Sequence, residues 1–382
     1  MEITDSIKYV GVNDKEIDLF EGQYVVPNGM AYNSYVVVDE EIIVFDSVDA
    51  RFSSEWLTNI DTVLAGKTPD YFVVQHVEPD HSGSITAFME KYPNAKVVSS
   101  QKCFAMMKNF YGTEYADNRL VVGEGTTLCT GEHEFVFVTA PMVHWPEVIV
   151  TFDKKDGVLF SADAFGKFGA LDADEDWACE ARRYYFGIVG KYGVQAQALL
   201  KKASGLDIKT ICPLHGPILT ENLGYYLDLY NTWTTYGVET KGVVIAYTSV
   251  YGNTKKAVLK LADMLTEKGV RVTVADLARD DMAEAVEDAF RYGKIVLATT
   301  TYNGSIFPFM HTFINELTER GYKNRKIGII ENGSWAPIAA NNIKKMLETA
   351  KNLTFTDTTV TIHSAVKEEN IKQIKNLAKE II

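Results

Sequence analysis

The chain has 382 residues, 46% apolar and 23% charged, with 38 Lys and Arg against 51 Asp and Glu for a formal net charge of −13. That length predicts two domains, and the composition excludes a disordered, collagen-like or disulfide-stapled chain. The acidic balance disfavours a nucleic-acid or anionic-membrane binder, because both need a cationic surface.

The first two-thirds reads as many short strands with a few helices. Tyr35–Val38 and Ile42–Phe45 flank Asp39-Glu40-Glu41 as a hairpin. Further apolar or β-branched runs are Tyr71–Gln75, Lys96–Ser99, Leu120–Val122, Phe135–Thr139, Val148–Phe152 and Val158–Ser161. Lys154-Lys155-Asp156-Gly157 supplies the turn between the last two. Helical patterns fall at Ser54–Leu64, Ser84–Lys91, Gln101–Tyr111, Ala181–Lys202 and Thr220–Tyr236. The last third alternates strand and helix. Strands begin near Gly242, Val270, Lys294, Lys326 and Thr356. Helices cover Lys255–Lys268, Met282–Tyr292, Met310–Arg320, Ala339–Ala350 and Val366–Ile382. Five successive strand–helix units predict an α/β, doubly wound, five-stranded parallel sheet. The boundary is placed so that residues 1–238 form one domain and 239–382 the other.

No run approaches the roughly 18 apolar residues of a membrane span. The start, Met1 to Asp5, lacks the basic and apolar regions of a secretory leader. Cys103, Cys129, Cys179 and Cys212 form no Cys-x-x-Cys pair, so a cysteine-ligated iron or zinc site is not encoded. A cytoplasmic protein with reduced thiols and no membrane partner is the expectation.

Seven histidines occur in the whole chain, and two fall in His76-Val77-Glu78-Pro79-Asp80-His81. This stretch follows a buried-strand pattern and precedes Ser82-Gly83-Ser84, a helix-capping sequence. Three other strand ends carry the same residue types: His144 after Phe135–Thr139, Asp163 after Val158–Ser161, and His215 after Ile208–Cys212. In an α/β sheet, strand ends converge on one edge of the layer. A lone His144 or His215 is ordinarily structural, and an Asp at a strand end is commonly a turn residue. The six-residue cluster is harder to dismiss. His133, His311 and His363 read as surface or helix-terminus residues. Imidazole with carboxylate suits iron, manganese or zinc. Seven ligand groups exceed what one tetrahedral ion takes, so two ions are expected, and a carboxylate such as Asp163 can bridge them.

His-x-Glu-x-Asp-His with downstream His, Asp and His resembles the metallo-β-lactamase-like domain of the flavodiiron proteins. Hydrolases of that superfamily usually carry His where this chain has Glu78, and the harder oxygen ligand favours iron over zinc. The resemblance implies an αββα domain and a di-iron site. His76, Glu78 and His144 would hold one iron and Asp80, His81 and His215 the other, with Asp163 bridging.

The last third opens on the strand-like Gly242–Tyr247, followed by Thr248-Ser249-Val250-Tyr251-Gly252-Asn253-Thr254 and a helix. Backbone N–H groups, the helix dipole and hydroxyls at such a turn form an anion site. Neither a Walker loop nor a Gly-x-Gly-x-x-Gly turn is present, which points to a mononucleotide phosphate bound without a cation. The loops Thr299–Gly304 and Glu331–Trp335 close the third and fourth strands, so they share the same crevice in a flavodoxin-like order. Thr301, Tyr302, Asn303, Gly304, Ser334 and Trp335 are candidate contacts, with Tyr302 and Trp335 placed to stack on a flavin ring. The segment resembles flavodoxin and implies FMN.

Together the two resemblances imply an oxidoreductase. FMN would accept electrons from a small protein such as a rubredoxin, and the di-iron site would reduce O2 to water, NO to N2O, or both. A preference for NO is the first alternative. A zinc hydrolase with an accessory flavodoxin domain is a lesser one, and Glu78 weighs against it. Rubredoxin or reductase extensions found in some relatives are expected to be absent. The resemblance also implies a head-to-tail homodimer, or a dimer of dimers. Tyr192 and Trp335 are candidates for setting gas selectivity.

Overall fold

The computed structural model describes residues 1–382. The chain separates into two compact units, Met1–Asn231 and Thr232–Ile382, divided within the helix Leu223–Thr234.

In the first unit, two sheets face each other. One runs in the order Ile7–Tyr9, Tyr35–Val37, Ile43–Phe45, Tyr71–Val73, Lys96–Ser100, Arg119–Val122. The other runs Thr127–Cys129, Glu134–Thr139, Ile149–Asp153, Val158–Phe160, Thr210–Cys212. Their alternating inward residues interdigitate. Tyr35, Phe45, Phe135, Phe137 and Phe160 are all buried there, and the Phe45 and Phe160 rings stack at 4.0 Å. Helices cover the outer face of the first sheet, where Trp56 of Ser53–Leu64 and Phe88 of Ile85–Lys91 pack on Phe72. With helices outside and two sheets inside, this is the αββα arrangement.

Strand direction places the ligand loops. Ile149–Asp153 runs antiparallel to both of its neighbours, so Glu134–Thr139 and Val158–Phe160 point the same way. Thr210–Cys212 is parallel to Val158–Phe160. The loops carrying His144, Asp163 and His215 therefore leave three co-directional strands at one edge.

The second unit is a sheet in the order Val272–Asp276, Val243–Tyr247, Lys294–Tyr302, Lys326–Asn332, Thr354–Ile362, every neighbouring pair parallel. In sequence order this is 2-1-3-4-5, the flavodoxin order, and its switch point lies between the first and third strands. Val243, Ile245, Val296, Ala298 and Ile330 form its buried centre. The segment after Asn231 is tied in by Arg325, whose guanidinium donates to the carbonyls of Tyr236 and Gly237 at 2.8 and 2.9 Å.

Several elements depart from the sequence expectation. Four short strands precede Tyr35 beyond Ile7–Tyr9: Val12–Asp14, Leu19–Phe20, Tyr24–Val25 and Met30–Tyr32. Runs of two or three residues are too brief to show a period. The helix expected over Ala181–Lys202 is broken. Trp177–Tyr184 passes into a π-helical turn, Tyr185–Val189, then a 3-10 turn, Gly190–Tyr192, before Gly193–Ala203 resumes. Gly187, Gly190 and Gly193 make helix continuation costly there, while burial of Tyr184, Tyr185 and Phe186 sets the path. Asp80 and His81 sit on a short helix, Pro79–Ser82, rather than an open loop. His133 is buried, not a surface residue, because its ring lies flat on Phe135 with Nδ1 3.0 Å from Asp153 Oδ2. His311 and His363 are exposed as expected.

Candidate metal centre and flavin cavity

Six of the seven expected metal ligands fall into two facing groups, and Asp163 spans both. In the first, His76 Nε2 lies 3.1 Å from Glu78 Oε2, 3.4 Å from His144 Nε2 and 3.3 Å from Asp163 Oδ2. His144 Nε2 is 2.9 Å from Glu78 Oε2 and 3.2 Å from the same Asp163 oxygen. In the second, Asp80 Oδ2 lies 3.2 Å from both His81 Nε2 and His215 Nε2. Asp163 Oδ1 faces this group, 3.1 Å from His81 Nε2 and 3.8 Å from His215 Nε2. The two oxygens of one carboxylate thus address different groups.

Burial makes this arrangement expensive without cations. His76, His81, Asp163 and His215 are buried, and Glu78 and Asp80 show only 16% and 12% of their side chains to solvent. Both oxygens of Asp80 and of Asp163, and Nε2 of His81 and of His215, have no hydrogen-bond partner. Buried polar atoms left this way cost free energy unless an ion satisfies them. The charges show the same imbalance. Burial resists charge on His76, yet the Asp163 charge and the hydrogen bonds His76 itself makes to Glu147 and Glu78 hold its pKa well above the usual imidazole value. His144 is likewise pushed up to about 9, against its burial, by Asp163 and Glu78. Asp163 is held well below the carboxylate range, where His76 and His81 outweigh its own desolvation. A concentrated set of carboxylates is thus drawing positive charge onto the imidazoles.

Hydrogen bonds on the far side of the rings fix how they present themselves. His215 Nδ1 donates to the Ala31 carbonyl at 2.7 Å, which leaves Nε2 as the free acceptor. His76 Nδ1 pairs with Glu147 Oε1 at 2.7 Å, and the same oxygen accepts from Val77 N. Asp46, buried at the end of Ile43–Phe45, accepts from the backbone of Gln75 and of His76 and so pins the strand exit. Burial pushes the Asp46 carboxyl up to about 6, despite the His81 charge and these bonds. One side of the centre opens into a cavity of about 320 Å³ bordered by Phe20, Glu21, Tyr32, Arg51, Glu78 and Asp80.

In the second unit, a cavity of about 550 Å³ opens at the switch point. Ser249, Tyr251, Asn253, Thr254, Thr301, Tyr302, Asn303, Gly304, Ser334 and Trp335 line it. Gly252 precedes the helix Asn253–Thr266 at φ +82°, a left-handed conformation that suits glycine. The helix N-terminus therefore faces the cavity with Asn253 and Thr254 in its first turn. Tyr251 and Trp335 are 91% and 92% exposed. Large aromatics held in the open at a cavity rim have no packing role of their own there.

A model for the ODP family beta lactamase matches residues 30–216, and one for a flavodoxin domain matches residues 244–375. The nitric oxide reductase of Moorella thermoacetica is 28% identical over 390 residues, covering 99% of this chain and 97% of that protein. Rubredoxin oxygen:oxidoreductase from Desulfovibrio gigas superposes with a TM-score of 0.92 at 26% identity, over 100% of this chain and 97% of its own. The flavodiiron protein of Giardia intestinalis gives 0.91 at 26% identity, over 100% and 95%.

Over its whole length the chain is similar to flavodiiron proteins.

Two of the anticipated flavin contacts lie outside the cavity lining. The Thr248 hydroxyl is fully buried and pairs with Thr299 at 2.7 Å, and Gly252 acts through its backbone conformation. The cavity also takes in Thr300, Asn332, Gly333, Ala336, Ile338 and Ser364. Asn332 reaches Thr254 Oγ1 at 3.4 Å and ties to the Ser364 backbone at 3.1 Å. Ser364 follows the fifth strand, whose end carries no aromatic or glycine signature. Glu147 and Asp46 also escaped the sequence reading, since each supports a ligand from a different strand and neither has a fixed spacing to it. Tyr192 closes the 3-10 turn Gly190–Tyr192.

Proposed function

We propose that His76, Glu78 and His144 hold one iron, that Asp80, His81 and His215 hold the other, and that Asp163 bridges them. The observation that carries this reading is the split of Asp163, with Oδ2 toward the first group and Oδ1 toward the second. The flavin assignment covers Ser249, Tyr251, Asn253, Thr254, Thr301 to Gly304, Ser334 and Trp335. Thr248 and Gly252 shape the turn. Residues 1–238 form the metal domain and 239–382 the flavin domain.

The protein is an oxidoreductase that passes electrons through FMN to reduce a diatomic gas, O2 to water, NO to N2O, or both. When bound, the iron pair supplies an open redox centre that binds and polarises the gas, and FMN supplies two-electron storage. The chain's own residues do the rest. Glu147 and the Ala31 carbonyl fix the His76 and His215 rings so that each offers Nε2. Phe20, Tyr32 and Tyr184 pack their rings around His215 and hold it in place. In the flavin unit the amides and hydroxyls of Asn253 and Thr254 bind the phosphate, and Tyr302 and Trp335 cover the ring. The electron donor is a small separate protein, and the chain works in the cytoplasm. A head-to-tail homodimer brings the flavin of one chain to the irons of its partner.

Anaerobic stopped-flow mixing of the fully reduced protein with O2 and, separately, with NO tests the activity. Oxidation of the flavin coupled to gas loss is the expected result, and the faster gas is the physiological substrate. A reduced protein that leaves both gases unconsumed would overturn the assignment.

A further inference from the structure

A second set of ligand-type side chains lies in the first unit, built from residues the gas chemistry does not use. His133, 1% exposed, stands just before the strand Glu134–Thr139. Its Nε2 is 2.7 Å from Ser6 Oγ. The Ser6 hydroxyl donates to Asp156 Oδ2 at 3.4 Å, and Thr4 Oγ1 donates to the same oxygen at 2.7 Å. A carboxylate only accepts, so where the Ser6 hydroxyl donates to Asp156 it accepts from the His133 Nε2–H. That leaves Nδ1 as the ring's lone-pair atom. It lies 3.0 Å from Oδ2 of Asp153, which is fully buried, yet it has no hydrogen-bond partner.

In that arrangement two lone-pair atoms face each other in a buried place, and a cation between them removes their repulsion. His81 Nε2 has the same signature at the di-iron centre. It is 3.2 Å from Asp80 Oδ2 and 3.1 Å from Asp163 Oδ1, and also lacks a hydrogen bond. Ligand atoms of His133, Asp153 and Asp156 all lie within 4.8 Å of one another. Ser6 then fills the outer role that metal-bound imidazoles use, accepting from the nitrogen that does not face the ion. The Ser6–His133–Asp153 spacing also matches a hydrolytic triad. Asp156 beside Ser6 Oγ would oppose the negative charge that develops on an attacked carbonyl, which weighs against that chemistry.

We propose that His133 Nδ1, Asp153 and Asp156 bind a divalent transition-metal ion, a third metal site made of residues other than the di-iron ligands. One imidazole with two carboxylates suits zinc, manganese or ferrous iron. Binding ties the turn around Thr4 and Ser6 to the strand pair Glu134–Thr139 and Ile149–Asp153, and it stabilises the folded state by mass action.

The test is calorimetric titration of the full chain, carrying its iron and FMN, with Zn2+ alone. Zinc and iron are then counted after desalting. One zinc per chain with iron retained is expected. Asp156→Asn should weaken zinc binding by about tenfold or more, and His133→Gln should abolish it. Both variants should keep their iron, their FMN and their rate of gas reduction. Asp156 is only half-buried, so its variant decides the matter if His133→Gln fails to fold. Three results would each overturn the site: no zinc bound, zinc gained only as iron is lost, or Asp156→Asn binding zinc as tightly as the parent.

Discussion

Asp163 shows how one residue decides a centre. Its carboxylate is 1% exposed and touches His76, His144 and His81 through two differently directed oxygens. Asp163→Ala removes the bridge and leaves those imidazoles without their shared anion. At least one iron per chain should be lost, while FMN stays bound in its separate unit. Elemental analysis and the flavin spectrum check both, and a variant with two irons and full gas reduction would remove Asp163 from the ligand set. Glu147 acts one step further out. Glu147→Gln keeps the shape but takes away the charge behind His76 Nδ1. Iron affinity should fall by about 10–100-fold, read by competition with a chelator. An unchanged affinity would mean that His76 needs no such support.

At the scale of elements, both sites are strand-end sites. The strand Val243–Tyr247, the left-handed Gly252 and the helix Asn253–Thr266 form the turn on which the phosphate reading rests. Hydrogen bonds to a charged group contribute about 1.5–3 kcal/mol. Thr254→Val keeps the branched shape and removes the hydroxyl, so FMN should dissociate more readily by that amount, with iron content unchanged. Fluorescence titration of the apoflavin form gives the comparison, and an equal dissociation constant would place the phosphate elsewhere. The elements themselves were unevenly legible. Gln101–Tyr111 has the same limits in sequence and structure, because the Ser100 hydroxyl caps its start and Gly112 takes a left-handed conformation at its end. The π-helical turn at Tyr185–Val189 was not legible, since it depends on where Tyr184, Tyr185 and Phe186 find space to bury.

For the whole molecule, the metal and flavin centres belong to different compact units of one chain. Electrons must cross between centres, and a two-fold pairing lets the flavin of one chain serve the irons of another. Mixed dimers test this. One chain carries His81→Ala with Asp163→Ala, and the other Asn253→Ala with Thr254→Val. Each homodimer should be inactive. In the head-to-tail arrangement the isolated heterodimer retains one intact pair, so gas reduction should partly return. A heterodimer that holds both iron and FMN and still shows no recovery would rule that arrangement out. No helix is long and apolar enough to cross a membrane.

The sequence by itself determined what depends on local order. The cluster His76 to His81, the turn Thr248 to Thr254 and the five strand–helix units of the last third were all readable, because ligand spacing, turn chemistry and hydrophobic period are short-range properties. Tertiary structure alone decided what depends on meeting across sheets. Glu147 finds His76 from 71 residues away, and the Ala31 carbonyl finds His215 from 184. His133 looked like a polar surface residue beside Glu132 and Glu134, yet it is buried against Phe135 with Ser6 and Asp153 at its two nitrogens. No window of neighbouring residues carries such pairings, since they arise only when strands distant in the chain are packed face to face.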